Sequence, residues 1–200
     1  LSGLLAAKKL AGTNYDVLLV ERENSLGGVL KDSNKIKFIN DQKPNDWIEK
    51  TERLIKNSSN IKILKNTLVT TYNYSDHLIA IEDKSVGKPQ DNKNPELILH
   101  KIRTKQTILA NGHIERFISF RNNDLPGVML AASFEKYINR YGVVPDENPV
   151  IFTNNSSTFS LLNNLVSLGH KPKAYVDVRD HKKIEKETVE LLVKYNIPFY

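Results

Sequence analysis

The chain has 200 residues, and its 29 Lys and Arg against 23 Asp and Glu give a formal net charge of +6. A content of 40% hydrophobic and 26% charged residues is typical of a globular chain and argues against disorder. Because the sequence has no Cys, disulfides, thiolate metal sites, iron–sulfur clusters and cysteine catalysis are excluded within it.

The rest of the composition disfavours several further classes of function. The five His lack metal-ligand spacing, and no apolar run approaches the roughly 18 residues of a membrane helix. The basic residues are dispersed and form no stripe with aromatic residues, and the sequence has no Gly-x-Ser-x-Gly motif. We therefore expect no metal site in these residues and no nucleic-acid or membrane partner.

The first elements are typical of a βαβ unit without its first strand. Residues 2–11 are rich in Leu and Ala and predict a short helix that ends at Gly12. The apolar run within 15–21 predicts a strand covered on both faces in a parallel sheet. The chain starts at Leu1, not Met, and stops at Tyr200 on an apolar run, so we expect a piece of a longer protein.

The middle of the chain predicts a helix and then a small sheet. An apolar stripe predicts a helix over 46–56 with Trp47 in the core. Residues rich in β-branched and aromatic side chains predict strands at 61–64, 67–74, 78–82 and 97–103, which form an antiparallel meander over about 61–105, with a surface loop at 83–95. Residues 106–110 predict another buried strand.

A second αβ unit follows an irregular stretch at 116–127. Helices are predicted over 128–141, 158–168 and 182–195, and strands over 149–153 and 174–178. The predicted fold class is therefore α/β, with two Rossmann-like nucleotide-binding-type lobes and an inserted β meander. The first lobe spans 1–115 and lacks its first strand, and the second, degenerate lobe spans 116–200 and is incomplete at its C-terminus.

Glycines and one carboxylate in the first lobe indicate a dinucleotide site. Gly3 lies where the last glycine of a dinucleotide fingerprint falls, which lets helix and strand pack closely. Glu21 ends the next strand, where a carboxylate accepts the ribose hydroxyls. Gly27 and Gly28 let the backbone pass close to a nucleotide. The alternatives are a solvated Glu at an ordinary sheet edge and a plain turn.

The strand exit at 110–112 has small residues that leave room for a ligand, with a routine exit as the alternative. His113 beside it is either a cofactor contact or an exposed loop residue. In the second lobe, Asn-Asn-Ser-Ser-Thr at 154–158 replaces the expected glycines, so we expect no usual dinucleotide binding there. The charge run at 179–186 is expected to be a solvated helix face.

Several stretches resemble a known family of flavoproteins with two dinucleotide-binding domains. They are LLVERE at 18–23, LGG at 26–28, KQTILANGHIER at 105–116, NNDLPGVML at 122–130, YINRYGV at 137–143 and VIFTNN at 150–155. Together they resemble the alpha subunit of heterotetrameric sarcosine oxidase, and the resemblance covers almost the whole chain.

The resemblance implies a function that the residues alone do not give. It implies an oxidase that demethylates sarcosine to glycine with oxygen as acceptor and passes a one-carbon unit to tetrahydrofolate. It implies NAD in this region, with FAD as the alternative in the same lobe, FMN at a subunit interface, FAD and the amine substrate in a partner subunit, and tetrahydrofolate in a region absent here. The resemblance also implies a cytoplasmic protein in which this region has no catalytic residue, so the fragment alone is expected to be inactive.

The expected cofactor-binding residues are Gly3, Glu21, Arg22, Gly27, Gly28, Ala110, Asn111 and Gly112. The chain departs from the family where Asn111-Gly112-His113 replaces a Thr-Gly-Ala turn and where Phe117 replaces a Pro. Related amine and opine dehydrogenase subunits share much of the pattern. Two alternatives stay open: a non-catalytic assembly module with a vestigial nucleotide site, and an NAD(P)H-dependent flavin oxidoreductase.

Overall fold

The structure is a computed structural model that describes residues 1–32, 36–87 and 96–200, with the backbone alone at Ser75. It divides into two compact units. The N-terminal unit consists of Leu1–Val29 and Phe38–Gly112, and the C-terminal unit consists of Leu30–Lys37 and His113–Tyr200. The predicted loop at 83–95 lies mainly outside the described residues, and its first residue, Asp83, ends a strand.

The described residues of the first half contain three helices and five strands. In chain order they are α1 (Ser2–Leu10), β1 (Val17–Val20), α2 (Val29–Asp32), α3 (Pro44–Lys56), β2 (Ile61–Leu64), β3 (Thr67–Asn73), β4 (His77–Asp83) and β5 (Leu97–Arg103). Pro44 in the first turn of α3 explains why this helix begins two residues before the predicted start, since the fixed φ of Pro suits that position.

Helices α1 and α3 pack on a two-stranded parallel sheet of β1 and β2. Trp47 is 2% exposed and Ile55 is fully buried, which confirms the predicted core face of α3. All four residues of β1 are only half-buried, although the sequence predicts burial on both faces. In the described chain β1 has a single strand neighbour, and its other edge is unpaired, which explains the difference.

The three-stranded sheet has the order β3-β4-β5 and is antiparallel, as predicted for a meander. Residues 61–64 do form a strand, but the prediction that it joins the meander is wrong. This strand, β2, pairs in parallel with β1, with Val17 opposite Ile61 and Val20 opposite Leu64. Strand propensity does not specify a partner, and the α3 crossover between β1 and β2 favours parallel pairing.

The buried strand predicted at 106–110 is absent. These residues have no assigned secondary structure, and Ile108 and Leu109 are 65% and 72% exposed. A strand needs a neighbour for its backbone N–H and C=O groups. No strand in the described part of the chain pairs with this segment, so its apolar pattern alone does not form one.

The C-terminal unit contains a second parallel pair of strands. Its elements are α4 (Ala131–Tyr141), β6 (Val150–Thr153), α5 (Phe159–Ser167), β7 (Ala174–Asp177) and α6 (Lys186–Lys194). β6 and β7 pair in parallel, and the core around them includes Phe134, Ile151, Leu162, Tyr175 and Leu192. This βαβ arrangement confirms the predicted α/β fold class.

Two predicted helices are shorter than expected. The helix predicted from 128 begins at Ala131, because Leu130 is extended. The helix predicted over 182–195 divides into a 3₁₀ turn at His181–Lys183 and α6. Asp180 accepts a hydrogen bond from the Lys182 N–H at 2.9 Å and so caps the short turn, and Ile184 is extended and ends it.

Within the ranges described above, no helix combines the length and apolar character that crossing a membrane requires. No cluster of three or more His, Cys, Asp or Glu suited to a metal ion occurs among the same residues.

Candidate functional site

The carboxyl end of β1 is fixed by backbone hydrogen bonds on both sides of Glu21. The Glu21 N–H donates to the Leu64 carbonyl oxygen at 2.8 Å, and the Thr67 N–H donates to the Glu21 carbonyl oxygen at 2.9 Å. The chain that leaves β2 therefore wraps the end of β1 and holds Glu21 in place. The residue is half-buried, which suits a carboxylate that contacts a ligand from the rim of a sheet.

The Glu21 side chain has a defined direction. Its Oε1 accepts the Glu23 N–H at 3.0 Å, which folds the carboxylate over the start of the following turn. Arg22 points its guanidinium toward Glu23, with Nη2 3.6 Å from Oε1, and its side chain is 66% exposed. The arginine thus lies at the surface, and its described ion pair is with Glu23.

Gly27 and Gly28 follow a buried anchor, Leu26, which is 1% exposed. Their φ angles are +125° and +53°, in the region that favours glycine. A Cβ at Gly28 has no heavy atom within 4 Å, so open space adjoins this backbone. The turn therefore needs glycine for its conformation and leaves the space beside Gly28 unfilled.

Gly3 lies where three elements of the N-terminal unit meet. A Cβ at this position lies 3.4 Å from the Ala110 Cβ and 3.9 Å from Leu19 Cδ1. The first turn of α1, the chain at Ala110 and strand β1 therefore meet at Gly3. The β1 residue in this contact, Leu19, lies two residues before Glu21. The sequence predicted close packing at this glycine, and the geometry agrees.

The N-terminus of α1 has the polarity that favours an anion. The helix begins without a side-chain cap and without an acidic residue in its first turn, while Lys8 and Lys9 occupy its last turn. The first backbone N–H groups of such a helix have no partner within the helix, and the helix dipole favours negative charge there. Because Gly3 and Ala110 lack bulky side chains, the approach to these N–H groups is not obstructed by them.

The predicted strand exit at 110–112 is an exposed segment that belongs to no helix or strand. Gly112 has φ of +72° and no heavy atom within 4 Å of a Cβ built on it. Ala110 contacts the Gly3 position, whereas Asn111 is exposed, and no hydrogen bond in the described structure joins it to another site residue. His113 is also exposed, in keeping with a loop position.

Glu115 has a structural role that the sequence did not reveal. Its Oε2 accepts the Ala132 N–H at 2.7 Å, in the first turn of α4. The N-cap residue of that helix, Leu130, has no side-chain oxygen, so Glu115 supplies the missing cap from 17 residues away.

The C-terminal unit has a carboxylate at the corresponding strand end, and it is already paired. Asp177 ends β7 and its side chain is fully buried. The Arg179 Nη2 lies 2.7 Å from Asp177 Oδ2, and its Nε lies 3.0 Å from Oδ1. Hydrogen bonds with Asp177 and Glu185 raise the pKa of Arg179 further above its already high value.

Arg179 also contacts one residue that follows β6 and one that precedes α6. Its Nη1 lies 3.2 Å from Ser156 Oγ, and its Nη2 lies 3.4 Å from Glu185 Oε2, while Ser156 itself hydrogen-bonds Glu185. The prediction that 179–186 is a solvated face is wrong for Arg179, whose side chain is 20% exposed. The missed signal is Asp177, an acidic residue at the end of a buried strand two residues before an Arg.

Comparison with known proteins shows what the chain is similar to. Residues 1–52 match the family model described as NAD(P)-binding Rossmann-like domain. The chain is 32% identical over 171 residues to sarcosine oxidase subunit alpha of Corynebacterium sp. (strain P-1), covering 84% of this chain and 18% of that protein. It is 30% identical over 200 residues to the same subunit of Rhizobium meliloti (strain 1021), covering 94% of this chain and 20% of that protein.

A solved structure shares the fold. The crystal structure of L-proline dehydrogenase from P. horikoshii superposes with a TM-score of 0.62 at 22% identity, over 92% of this chain and 34% of that chain. The identities of 32% and 30% to the two sarcosine oxidase alpha subunits confirm the predicted resemblance over most of this chain. The chain spans about a fifth of the length of those curated relatives.

Proposed function

We propose that the N-terminal unit holds NAD and that the chain is the nucleotide-binding region of the alpha subunit of a sarcosine oxidase-like complex. The observation that carries the proposal is the meeting of an uncapped α1 N-terminus, Gly3 and the end of β1 before Glu21. In Rossmann-like folds the pyrophosphate lies at such a helix N-terminus and a carboxylate at the next strand end binds ribose.

The residues present fit a dinucleotide. The first N–H groups of α1 would face the pyrophosphate, and the Glu21 carboxylate would accept hydrogen bonds from the ribose hydroxyls. Gly27 and Gly28 would let the backbone pass beside the nucleotide, since open space adjoins Gly28. Ala110, Asn111 and Gly112 would flank the bound nucleotide from the other side of Gly3, and Arg22 would lie at its exposed rim.

The Glu21 carboxylate favours NAD over NADP. A 2′-phosphate beside Glu21 would bring two negative groups together at a half-buried position, with Glu23 next to them. Arg22 does not offset this repulsion, because its guanidinium faces Glu23. FAD in the same lobe is the alternative ligand, since its adenosine half presents the same ribose hydroxyls.

The redox chemistry is assigned to other parts of the assembly. NAD bound here is a resident nucleotide, and we propose no catalytic residue in this chain. In the whole protein, sarcosine would be oxidised at FAD in a partner subunit, with FMN at a subunit interface and oxygen as acceptor. The one-carbon unit would pass to tetrahydrofolate in another region.

An assembly role is the second candidate, and the paired Asp177 favours it for the C-terminal unit. Arg179 is ion-paired with the Asp177 carboxylate, the group that a nucleotide ribose would need. Ser156 and Glu185 bind the same guanidinium. We propose that this unit binds no nucleotide and contributes packing surface to the complex. The same feature argues against a free-standing NAD(P)H-dependent flavin reductase, which needs a second functional nucleotide site.

Mass spectrometry of the released nucleotides tests the proposal. The full-length protein is purified with its co-eluting subunits, denatured, and its nucleotides are identified and counted. NAD at about one per alpha subunit together with flavin is the expected result. FAD as the sole nucleotide of an isolated chain, or no nucleotide at all, would contradict it.

A further inference from the structure

Strand β2 has one unpaired edge in the N-terminal unit. The Val17 N–H donates to the Asn60 carbonyl oxygen, and the Glu21 N–H donates to that of Leu64, both at 2.8 Å. Because a parallel ladder alternates, Ile63 turns its N–H and C=O away from β1. No strand pairs with this outer edge in residues 1–32, 36–87 and 96–200.

A groove of about 620 Å³ runs along this edge. Ile61, Lys62 and Ile63 line it on the β2 side, so its length follows the strand. The residues that follow β4, including Lys84 and Val86, line it from the meander. The groove therefore offers an extended chain the backbone groups of Ile63 and apolar side chains, whereas the Ile61 N–H already donates to the Ser58 carbonyl oxygen at 3.2 Å.

Positive charge prevails along the groove. Four lysines line it, Lys56, Lys62, Lys65 and Lys84, against the carboxylates of Glu82 and Asp83. Both carboxylates are engaged within the chain. Glu82 binds Lys84 and the His100 Nε2, the latter at 2.8 Å, and Asp83 accepts the Ser85 N–H at 2.9 Å.

The four lysines differ in whether they form an ion pair within the chain. Glu52 lies 2.6 Å from the Lys65 Nζ and 3.0 Å from the Lys56 Nζ, so one carboxylate faces two ammonium groups. Lys62 is exposed and takes part in no ion pair within the described residues. Lys62, on β2 itself, is therefore available to pair with a negatively charged group of a partner.

We propose that the free edge of β2 binds an extended acidic segment of a partner protein as an added strand. Backbone groups of such a segment would pair with Ile63, and its carboxylates would meet Lys62 and the neighbouring lysines. A second copy of this lysine-lined edge is disfavoured as the occupant, because lysines on an edge strand repel one another. The relatives are named as subunits of an oxidase, so partner chains for this chain are expected.

Fluorescence anisotropy with the full-length protein tests the charge requirement. The probe is a labelled ten-residue peptide of alternating Glu and Val. We expect binding that weakens as salt is added, and an affinity at least tenfold lower in Lys62→Glu. The matched control is Lys9→Glu, which makes the same charge change on the exposed face of α1 outside the groove.

A second pair of probes tests strand pairing. The same peptide with N-methyl groups on alternate residues keeps its charge but cannot donate along one edge, and we expect it to bind at least tenfold more weakly. Lys62→Gln, which removes the charge without reversing it, is expected to give an intermediate affinity. Since Lys62 is exposed, both variants are expected to melt at the wild-type temperature.

Three results would overturn the proposal. They are equal binding of the methylated peptide, an equal loss of affinity in Lys9→Glu, and no binding of the unmodified peptide at millimolar concentration. Displacement of the peptide by inorganic polyphosphate at the same charge concentration, with the methylated peptide bound equally well, would identify a general anion site instead.

Discussion

The Arg179 guanidinium forms an ion pair with the Asp177 carboxylate at the carboxyl end of β7, with Nη2 2.7 Å from Oδ2. Glu21 holds the equivalent place after β1 in the other unit, and its carboxylate accepts a backbone N–H, that of Glu23, instead of a guanidinium. The two strand ends therefore differ in the partner of their carboxylate. The Asp177 carboxylate is ion-paired within its own unit, whereas no ion pair of Glu21 occurs among the described residues.

Removing Arg179 is expected to destabilise the C-terminal unit. Arg179→Ala leaves the fully buried Asp177 side chain without its cation, at a cost of about 3 kcal/mol. Arg179→Lys keeps the charge but loses the forked geometry, and an intermediate loss is expected. Urea unfolding measures both, with the exposed Arg121→Ala as the control. An Arg179→Ala protein as stable as Arg121→Ala would show that the pair contributes little.

Gly3 is expected to tolerate Ala and to reject Val. A Cβ lies 3.4 Å from the Ala110 Cβ, which is close to ordinary contact, but the two further methyl groups of Val have to displace Ala110 or Leu19. Gly3→Val is expected to lower the free energy of unfolding by about 1–3 kcal/mol relative to Gly3→Ala. Equal stability of the two variants would show that α1 does not pack against Ala110 as described.

Acid is expected to weaken the N-terminal unit through Glu82. Hydrogen bonds from Lys84 and His100 hold the pKa of Glu82 below its ordinary value of 4.5. A carboxylate with a lowered pKa stabilises the fold above the pKa of the unfolded chain, and this contribution is lost as the pH falls through the folded-state pKa. The free energy of unfolding should therefore decline below a pH of about 4.5.

The variant Glu82→Gln isolates this contribution. It is expected to flatten the decline in stability with falling pH, because the side chain no longer titrates. Glu49→Gln, at an exposed position on α3, is the control and is expected to keep the wild-type slope. Urea unfolding at several pH values between about 6 and 3 measures the slopes. Identical slopes in wild type and Glu82→Gln would exclude Glu82 as a source of acid sensitivity.

Much of the fold was predictable, because local patterns decide most of it. The apolar stripe of α3 predicted a buried Trp47, and the helices predicted to end at 141 and 168 end at Tyr141 and Ser167. The fingerprint position of Gly3 also predicted a close contact, which the Ala110 Cβ provides. Each of these features depends on neighbours in the sequence or on a recurrent motif.

The misses involve partners that are distant in sequence. Ile108 and Leu109 have a strand-forming pattern, yet a strand forms only where another strand presents a free edge. Arg179 lies in a charge run typical of a solvent-exposed helix face, but it forms an ion pair with the buried Asp177 and its side chain is only 20% exposed. Glu115 caps a helix that begins well downstream, at Ala131. Local composition carries no information about these pairings.

The binding of NAD by wild type and Glu21→Ala tests the central claim most directly. The full-length complex is stripped of nucleotide and titrated with NAD by calorimetry, with Glu49→Ala as the control. Loss of a hydrogen bond to a charged group costs about 1.5–3 kcal/mol, so Glu21→Ala should bind roughly 10- to 150-fold more weakly. Unchanged affinity in Glu21→Ala, or no NAD binding by the wild-type complex, would contradict the assignment of this lobe.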